Sequence, residues 1–177
     1  MKYMKTTMKI VTMVVALFCA TIGANAQPGV SEVTDIYATI IEPLSIDWAS
    51  DMNFGNCAVN SFAGTIVLTT GSTRTGTGGA TPVANPTGTV SAAEFDVFGT
   101  AGAQVFITLP SSPITVTRQA GTETMTVSDF VSLPAGNFTI ATNPTTIFVG
   151  ATLNVGADQE PGIYEAIGDL AVTVNYQ

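Results

Sequence analysis

Two carboxylates separated by one residue are the feature of this sequence closest to a catalytic pair. Glu94 and Asp96 alternate with Phe95 and Val97 in the stretch AEFDVF. In a β-strand, residues two apart point to the same face, and paired carboxylates are what glycoside hydrolysis requires. The apolar residues predict that the opposite face is turned to the core. We therefore expect Glu94 and Asp96 to lie in solvent, and an enzyme that uses them is the weakest hypothesis.

Two acidic stretches offer oxygen atoms to a metal ion. Asp47, Asp51 and Asn53 occur in DWASDMN, and Asp158 and Glu160 occur in GADQEPG. Calcium prefers such oxygen ligands, but neither spacing follows that of a calcium-binding loop. We interpret both stretches as solvated turns and expect no metal site and no cofactor.

The residue types that are missing restrict the chemistry further. The chain contains no histidine, its three lysines all lie within the first nine residues, and it has two cysteines. Nucleophiles activated by histidine, and zinc sites built from histidine and cysteine, are thereby excluded. A serine–lysine pair is excluded once the N-terminal residues are removed. We therefore expect that the protein is not an enzyme and that no catalytic residue can be named.

The N-terminal 26 residues have the three parts of a secretory signal peptide. Basic residues precede an apolar run over residues 10–22, and Ala24-Asn25-Ala26 supplies the small residues of a cleavage site. The run is shorter than the ~20 residues that a membrane-spanning helix needs. Cleavage after Ala26 would leave a single domain, residues 27–177, without an integral membrane segment. We expect it in the periplasm, at the cell surface or outside the cell.

The mature chain would be strongly acidic. Removal of 26 residues from 177 leaves 151, with two arginines against thirteen carboxylates and a formal charge of −11. Such a surface repels phosphates, so no nucleic-acid partner is expected. Cys57 is the one thiol that remains. It is interpreted either as a small core residue or as half of an intermolecular disulfide.

Short runs rich in Val, Ile, Thr and Phe, separated by Gly, Pro, Asn and Ser, fill the mature chain. They predict about ten β-strands with a turn roughly every ten residues, which is typical of a β-sandwich or barrel. No stretch has convincing helical periodicity. The predicted strands are residues 36–41 and 44–46, bent at Pro43, then 64–70, 94–98, 104–109, 113–117, 124–127, 137–141, 146–149 and 152–155, before a long final run.

Two connections decide how these strands are joined. Residues 71–92, dominated by Gly, Thr, Pro and Ser, are predicted to form a long loop. Residues 152–155 and 163–177 are predicted to form a hairpin, in which Pro161-Gly162 suits a type II turn. In its return arm the even-numbered residues would face the core: Tyr164, Ala166, Leu170, Val172, Val174 and Tyr176.

Six short motifs in a fixed order carry a resemblance to a known family. They are ATIIEPLSI (38–46), MNFGN (52–56), AEFDVFG (93–99), VFITLP (105–110), VGATLNV (149–155) and PGIYEAIGDLAVTVNYQ (161–177). Together they resemble a secreted bacterial family known as domain of unknown function 4402 (DUF4402), which is similar in turn to the major subunit of the Mat/Ecp type of common pilus. The resemblance implies an immunoglobulin-like, pilin-like β-sandwich exported by a Gram-negative bacterium. It brings no catalytic residue.

The pilin resemblance implies a role for the last strand. Subunits assembled by a periplasmic chaperone and an usher end in an alternating apolar strand with an aromatic residue next to last, and Tyr176 stands at that place. The chaperone, and later the N-terminal segment of a neighbouring subunit, completes the sheet by β-augmentation. Residues 27–35 depart from this pattern because Val30 and Val33 are three apart. A monomeric sandwich that uses its own N-terminal strand therefore stays open as an alternative.

The leading hypothesis is a non-enzymatic secreted or cell-surface structural protein, a fimbria-like or pilus-like subunit that assembles by β-strand complementation. The predicted assembly strand consists of Leu170, Val172, Val174 and Tyr176. Its partners would be other copies of the protein or a periplasmic chaperone and usher. The alternative is a monomeric adhesion module that binds a glycan or a host ligand, through aromatic residues such as Trp48 or through residues 71–92.

Overall fold

The computed structural model describes residues 29–84 and 88–177. The chain divides into two units, Met1–Thr39 and Ile40–Gln177. In the described part of the first unit, residues 29–39, there is no strand and no helix. The predicted signal peptide, residues 1–26, lies outside the described residues.

The described residues of the second unit form eleven β-strands and no helix, so the all-β prediction is confirmed. The strands are β1 Ser45–Ser50, β2 Cys57–Leu68, β3 Arg74–Pro82, β4 Ala93–Phe98, β5 Gln104–Thr108, β6 Ile114–Arg118, β7 Thr124–Leu133, β8 Asn137–Thr139, β9 Thr145–Val155, β10 Tyr164–Glu165 and β11 Thr173–Tyr176. Across the described ranges, the structure holds no helix that is long and apolar enough to cross a membrane.

The strands form two antiparallel sheets. The large sheet has the order β1-β4-β9-β7-β6-β10, with β2 added to β9 and β3 added to β2, and the small sheet has the order β11-β5-β8. Residues from both sheets pack together in one core, as in a β-sandwich. The β-sandwich prediction is therefore confirmed, and the finer immunoglobulin-like and pilin-like assignment stays a prediction.

The central strand of the large sheet is β9, and buried and half-buried side chains alternate along it as expected for a strand with one face on the core. Its inward residues alternate with threonine, phenylalanine and asparagine on the outer side, which are half-buried. The buried inward residues are Ile147, Val149, Ala151, Leu153 and Val155. The prediction of two separate strands here is wrong, because the ladder runs through Gly150, which is itself buried between its neighbours.

Residues 71–92 are not the long loop that composition predicts, because Arg74–Pro82 forms β3. Small residues are needed in this strand because its backbone lies close to β2. A β-carbon at Gly78, for example, would collide with the carbonyl oxygen of Ala63. Frequent glycine here therefore marks a close approach of two backbones and not a turn. The strand predicted over residues 36–41 is also wrong, since no strand precedes Ser45 in the described residues.

The hairpin predicted between residues 152–155 and the end of the chain is wrong as well. β9 has β7 on one edge and β2 and β4 on the other, so it has no free edge for a return arm. Instead, β10 pairs with β6 in the large sheet, and β11 pairs with β5 in the small sheet. Residues 166–172 cross from one sheet to the other without forming a strand.

Two hydrophobic clusters lie along the inner face of the large sheet. The first cluster draws on both sheets and consists of Ala93, Val97, Val105, Ile107, Ile140, Ile147 and Val149. The second cluster consists of Ile66, Ala80, Val127, Ala151, Leu153 and Val155. Every member of the second cluster belongs to a strand of the large sheet, and none belongs to the small sheet.

Candidate functional site

The side chains of the predicted assembly strand lie on the first cluster. Leu170, Val172, Val174 and Tyr176 are half-buried against it, while the odd-numbered residues of the same run are exposed. The predicted alternation is therefore confirmed over this stretch, although only Thr173–Tyr176 is paired as a strand. The apolar face of the chain end is thus already part of the core of a single copy.

The hydroxyl group of Tyr176 joins the last strand to two other segments. It donates a hydrogen bond to the carbonyl oxygen of Glu42 at 2.9 Å and accepts one from the backbone N–H of Thr100 at 2.9 Å. The backbone N–H of Glu42 donates to Oγ1 of Thr100, also at 2.9 Å. These bonds hold β11 against the residues that precede β1. The position of β11 is therefore fixed by the Tyr176 side chain as well as by backbone pairing with β5.

One edge of β11 is not hydrogen-bonded to any strand of the described residues. Its residues pair with β5 and with no other strand of the described ranges. The backbone N–H of Gln177 donates to the carbonyl oxygen of Gln104 at 3.1 Å, so the odd-numbered residues direct their backbone groups toward β5. By the alternation of an antiparallel ladder, those of Val174 and Tyr176 point to the opposite, open edge. Such an edge is a template for another strand.

Three residues of the second cluster, Val127, Leu153 and Val155, contribute to the floor of an open groove of about 1350 Å³. The floor carries apolar side chains of β6, β7 and β9, including Val116, Met125 and Leu153. Val116 and Met125 are only half-buried, because the small sheet covers the first cluster and does not extend over the second. The inner face of the large sheet is therefore less fully covered around Val116 and Met125 than at the first cluster.

One wall of the groove, which includes residues 50–59, is held by Arg74. Its guanidinium group donates hydrogen bonds to the carbonyl oxygens of Phe54, of Asn56 at 2.9 Å and of Val83 at 2.8 Å. Because one side chain binds three backbone carbonyl groups, it holds the backbone of this wall in place. The wall is thus formed in a single copy and does not depend on a partner.

Cys57 lies in the same wall and is half-buried against the second cluster. Its Sγ atom is 3.8 Å from the carbonyl oxygen of Gly55. Burial raises the pKa of the Cys57 thiol, and the charge of Arg74 partly offsets that rise. This placement agrees with the interpretation of Cys57 as a small core residue.

The opposite wall contains β10 and is anchored to the strand next to it. The backbone N–H of Gln119 donates to the carbonyl oxygen of Ile163 at 2.8 Å. The hydroxyl of Tyr164 donates to the carbonyl oxygen of Glu160 at 2.6 Å and accepts a hydrogen bond from Nε2 of Gln159 at 2.7 Å. Both walls are therefore held by hydrogen bonds while the floor between them is left apolar.

An ion pair closes the β6–β7 hairpin next to this wall. Nε of Arg118 lies 2.7 Å from Oε2 of Glu123. The hydrogen bond from Arg118 lowers the pKa of the Glu123 carboxyl from its ordinary 4.5 to about 2, and backbone hydrogen bonds add to this effect. The pair stabilises the hairpin to which β10 is attached.

Trp48 is the exposed aromatic residue of the groove. It lies on the edge strand β1, opposite Phe95 of β4, and lines the groove while 65% of it is exposed. Its indole N–H donates to Oδ1 of Asp51 at 3.2 Å, which restrains the ring. Phe95, its cross-strand partner, packs against the first cluster. The ring of Trp48 is therefore an exposed apolar part of the groove.

The described part of the first unit is an apolar segment without strand pairing. Val30, Val33, Ile36 and Tyr37 are between 86% and 95% exposed. The hydroxyl of Tyr37 donates to the carboxylate of Asp35 at 3.0 Å, a contact within the segment itself. Apolar residues exposed in such a row are typical of a surface that binds another polypeptide.

The carboxylates considered for catalysis lie elsewhere. Glu94 and Asp96 are half-buried rather than free in solvent, on the face of β4 opposite the buried Ala93 and Val97. Asp96 accepts a hydrogen bond from Oγ1 of Thr146 at 2.7 Å. These carboxylates therefore contribute to the outer surface of the large sheet and not to the groove.

Two of the residues considered for metal binding make structural hydrogen bonds, one within a turn and one between segments distant in sequence. Oδ1 of Asn53 accepts the backbone N–H of Gly55 at 2.8 Å, and the backbone N–H of Asp158 donates to the carbonyl oxygen of Asn60 at 3.0 Å. Over the residues that the structure describes, no group of three or more His, Cys, Asp or Glu side chains is placed to hold a metal ion.

The sequence pattern singles out Trp48 at the rim of the groove but does not predict the apolar residues of its floor. Ile114 and Val116 alternate with threonines, as Met125 and Val127 do. That pattern shows which face of a strand is apolar, but it does not show whether a second layer covers that face. The signal that could have indicated the groove is the lone tryptophan on an edge strand.

Comparison with known proteins places the sheets within one family. A family described as Domain of unknown function (DUF4402) matches residues 44–176. The match begins one residue before β1 and ends with the last residue of β11, so it includes both clusters and the groove. No curated protein matches the chain. No solved structure matches it either.

Proposed function

The chain belongs to the DUF4402 family, and we propose that this member is a non-enzymatic structural subunit that assembles into pilus-like polymers by β-strand complementation. A strand of another polypeptide lies in the groove, covers the half-buried apolar residues beside the second cluster and pairs with the open edge of β11. The protein is exported and acts at the cell surface or outside the cell. The observation that carries this proposal is the groove beside the second cluster, where the apolar side chains of Val116 and Met125 are only half-buried.

The dimensions of the groove favour an extended peptide over a small molecule. Its volume of about 1350 Å³ exceeds the roughly 300–1,000 Å³ of typical small-molecule pockets. Its floor is formed by apolar side chains of neighbouring strands, and an unpaired strand edge is present in the same molecule. Strand addition uses both features, because side chains fill the apolar floor while the backbone continues the sheet.

A second copy of this chain is the occupant that the structure favours. Val30 and Val33 are three apart and cannot both face the groove, but the segment that follows them exposes the apolar side chain of Ile36 and has no strand partner in the described residues. Each copy therefore carries both an acceptor groove and a donor segment, and such a head-to-tail contact generates a filament if it does not close into a ring. A periplasmic chaperone that lends a temporary strand would occupy the same groove before assembly.

The experiment measures assembly with and without a charge in the groove. Residues 27–177 are purified, and mass is followed against concentration by light scattering and electron microscopy. We expect polymers from the wild-type protein and monomers from Met125→Glu, because a carboxylate on the floor would be buried without a partner. The control is Val131→Glu, which changes an apolar residue that is 52% exposed and does not line the groove.

The outcomes separate assembly from folding. Far-UV circular dichroism and urea unfolding show whether each variant retains the native sheets. Polymers formed equally by Met125→Glu and by the wild type would contradict the proposal, and so would a wild-type protein that stays monomeric at all concentrations. Loss of assembly in Ile36→Asp, with an intact fold, would identify the donor segment.

Trp48 supports a second candidate function, that of a monomeric module that binds a glycan. Its ring is exposed and restrained by Asp51, and such a ring can stack on a sugar. Binding on a glycan array that is lost in Trp48→Ala, from a protein that never polymerises, would favour this candidate.

A further inference from the structure

We infer that the edge receiving the partner strand is the eight-residue run 169–176, and that its first half, residues 169–172, becomes β-strand only when the partner is bound. This inference rests on the proposed function and specifies the binding edge of the same site. In the single copy, only Thr173–Tyr176 of this run is a strand.

The first half of the run already has the side-chain arrangement of a strand. Leu170 and Val172 are half-buried against the first cluster, and Asp169 and Ala171 are exposed. The same alternation continues through Val174 in β11. Because residues two apart share a face only in extended backbone, these residues lie close to strand conformation before any ladder forms.

Residues 169–172 form no ladder with β5 because a proline follows β5 at the position where the pairing would continue. Thr173 lies opposite Thr108, so continuing the register places Ala171 opposite Pro110. Proline has no N–H to donate, and the chain there leaves the small sheet toward β6 in the large sheet. β5 therefore cannot extend the pairing, and residues 169–172 can become a strand only through a neighbour on the open edge.

The backbone groups needed for that neighbour are available in one row. Val174 and Tyr176 direct their N–H and C=O groups to the open edge, and the same alternation assigns this direction to Leu170 and Val172. The four residues whose side chains bury the core are thus the four whose backbones would bind the partner. Their side chains hold the edge in place while their backbones pair, as strand addition requires.

Gly168 sets the start of the run. Its φ of +80° lies in the left-handed region, and open space surrounds the position of a β-carbon there. A strand cannot continue through this conformation, so pairing that spreads from β11 ends at residue 169. The predicted binding edge is therefore twice the length of β11.

Amide hydrogen exchange on residues 27–177 tests the inference, with the free subunit compared with the assembled polymer. On assembly, we expect exchange at Leu170, Val172, Val174 and Tyr176 to slow by at least about 100-fold, because each N–H gains a ladder bond. Thr173 and Asn175, which already pair with β5, serve as internal controls and should change by less than about tenfold.

The exchange pattern distinguishes failure of the strand extension from failure of strand complementation itself. Polymers in which Val174 and Tyr176 become protected while Leu170 and Val172 do not would overturn the strand extension but leave complementation intact. Polymers in which none of the four amides slows would show that the partner binds elsewhere. A chain that stays monomeric at every concentration would overturn the proposed function together with this inference.

Discussion

The two ends of the inner face of the large sheet differ in what covers them. The same strand, β9, contributes Ile147 and Val149 to the first cluster and Leu153 and Val155 to the second. The small sheet covers only the first of these clusters. The residue pattern of a strand and the completeness of the layer above it are therefore separate properties. Stability of the single copy should therefore depend on the first cluster, and assembly on the second.

Removing residues 170–177 should have the largest effect. This deletion takes away β11 and four side chains that pack against the first cluster, so the small sheet loses its edge strand. We expect no cooperative urea transition. Deletion of residues 29–35 is the control, and it should shift the free energy of unfolding by less than about 0.5 kcal/mol because its apolar residues are exposed. A truncated protein that unfolds cooperatively would show that the first cluster does not need the last strand.

Shortening a single side chain should reduce stability more in the first cluster than beside the second. Ile147→Ala removes a fully buried side chain of the first cluster and should lower the free energy of unfolding by about 2–5 kcal/mol. Met125→Ala removes a half-buried side chain from the groove floor and should cost about 1 kcal/mol in the free subunit. Urea unfolding of both variants measures the difference. Equal losses would mean that the second cluster is as well covered as the first.

Removing the hydroxyl groups of two tyrosines, one on the first cluster and one on the groove wall, should produce a smaller difference in stability. Tyr176→Phe leaves the backbone N–H of Thr100 and the carbonyl of Glu42 without this partner, so a loss of about 1–2 kcal/mol is expected. Tyr164→Phe, on the groove wall, should cost less than about 0.5 kcal/mol because the carbonyl of Glu160 can bind water instead. Thermal unfolding of the two variants is the measurement, and a reversed order would contradict the assignment.

The smallest effect should be a dependence on pH from the exposed Arg118–Glu123 pair. The folded protein lowers the pKa of Glu123 to about 2 from its ordinary 4.5, so the carboxylate stabilises the fold above about pH 4.5. This contribution is lost as pH falls from 4.5 to 2. A slightly lower Tm is expected for Glu123→Gln than for the wild type at pH 6, with no difference at pH 2. A difference that is the same at both pH values would contradict the role of the charge.

The sequence predicts well those strands in which apolar and polar residues alternate. β4 and β5 lie where the alternation of Phe95 and Val97, and of Val105 and Ile107, places them. β3 was missed because its close contact with β2 requires small residues, and a run such as residues 76–80 has the composition of a loop. The predicted terminal hairpin failed because proximity in sequence does not reveal that both edges of β9 are already occupied.

The candidate site was predicted only in part. The alternation from Leu170 to Tyr176 correctly identifies the side chains that pack on the core. The groove could not be predicted, because Val116 and Met125 have the pattern of ordinary core residues and their exposure depends on the extent of the other sheet. The resemblance to DUF4402 is confirmed by the match over residues 44–176, while the similarity to the Mat/Ecp type of pilus subunit stays a prediction.

The fluorescence of Trp48 tests most directly whether a strand from another copy completes the open half of the sandwich. It is the single tryptophan of the chain, and it lines the groove while mostly exposed. On assembly, its emission should move to shorter wavelength and its quenching by acrylamide should fall, whereas Met125→Glu should show neither change. Polymers in which Trp48 remains as accessible to acrylamide as in the free subunit would contradict the account.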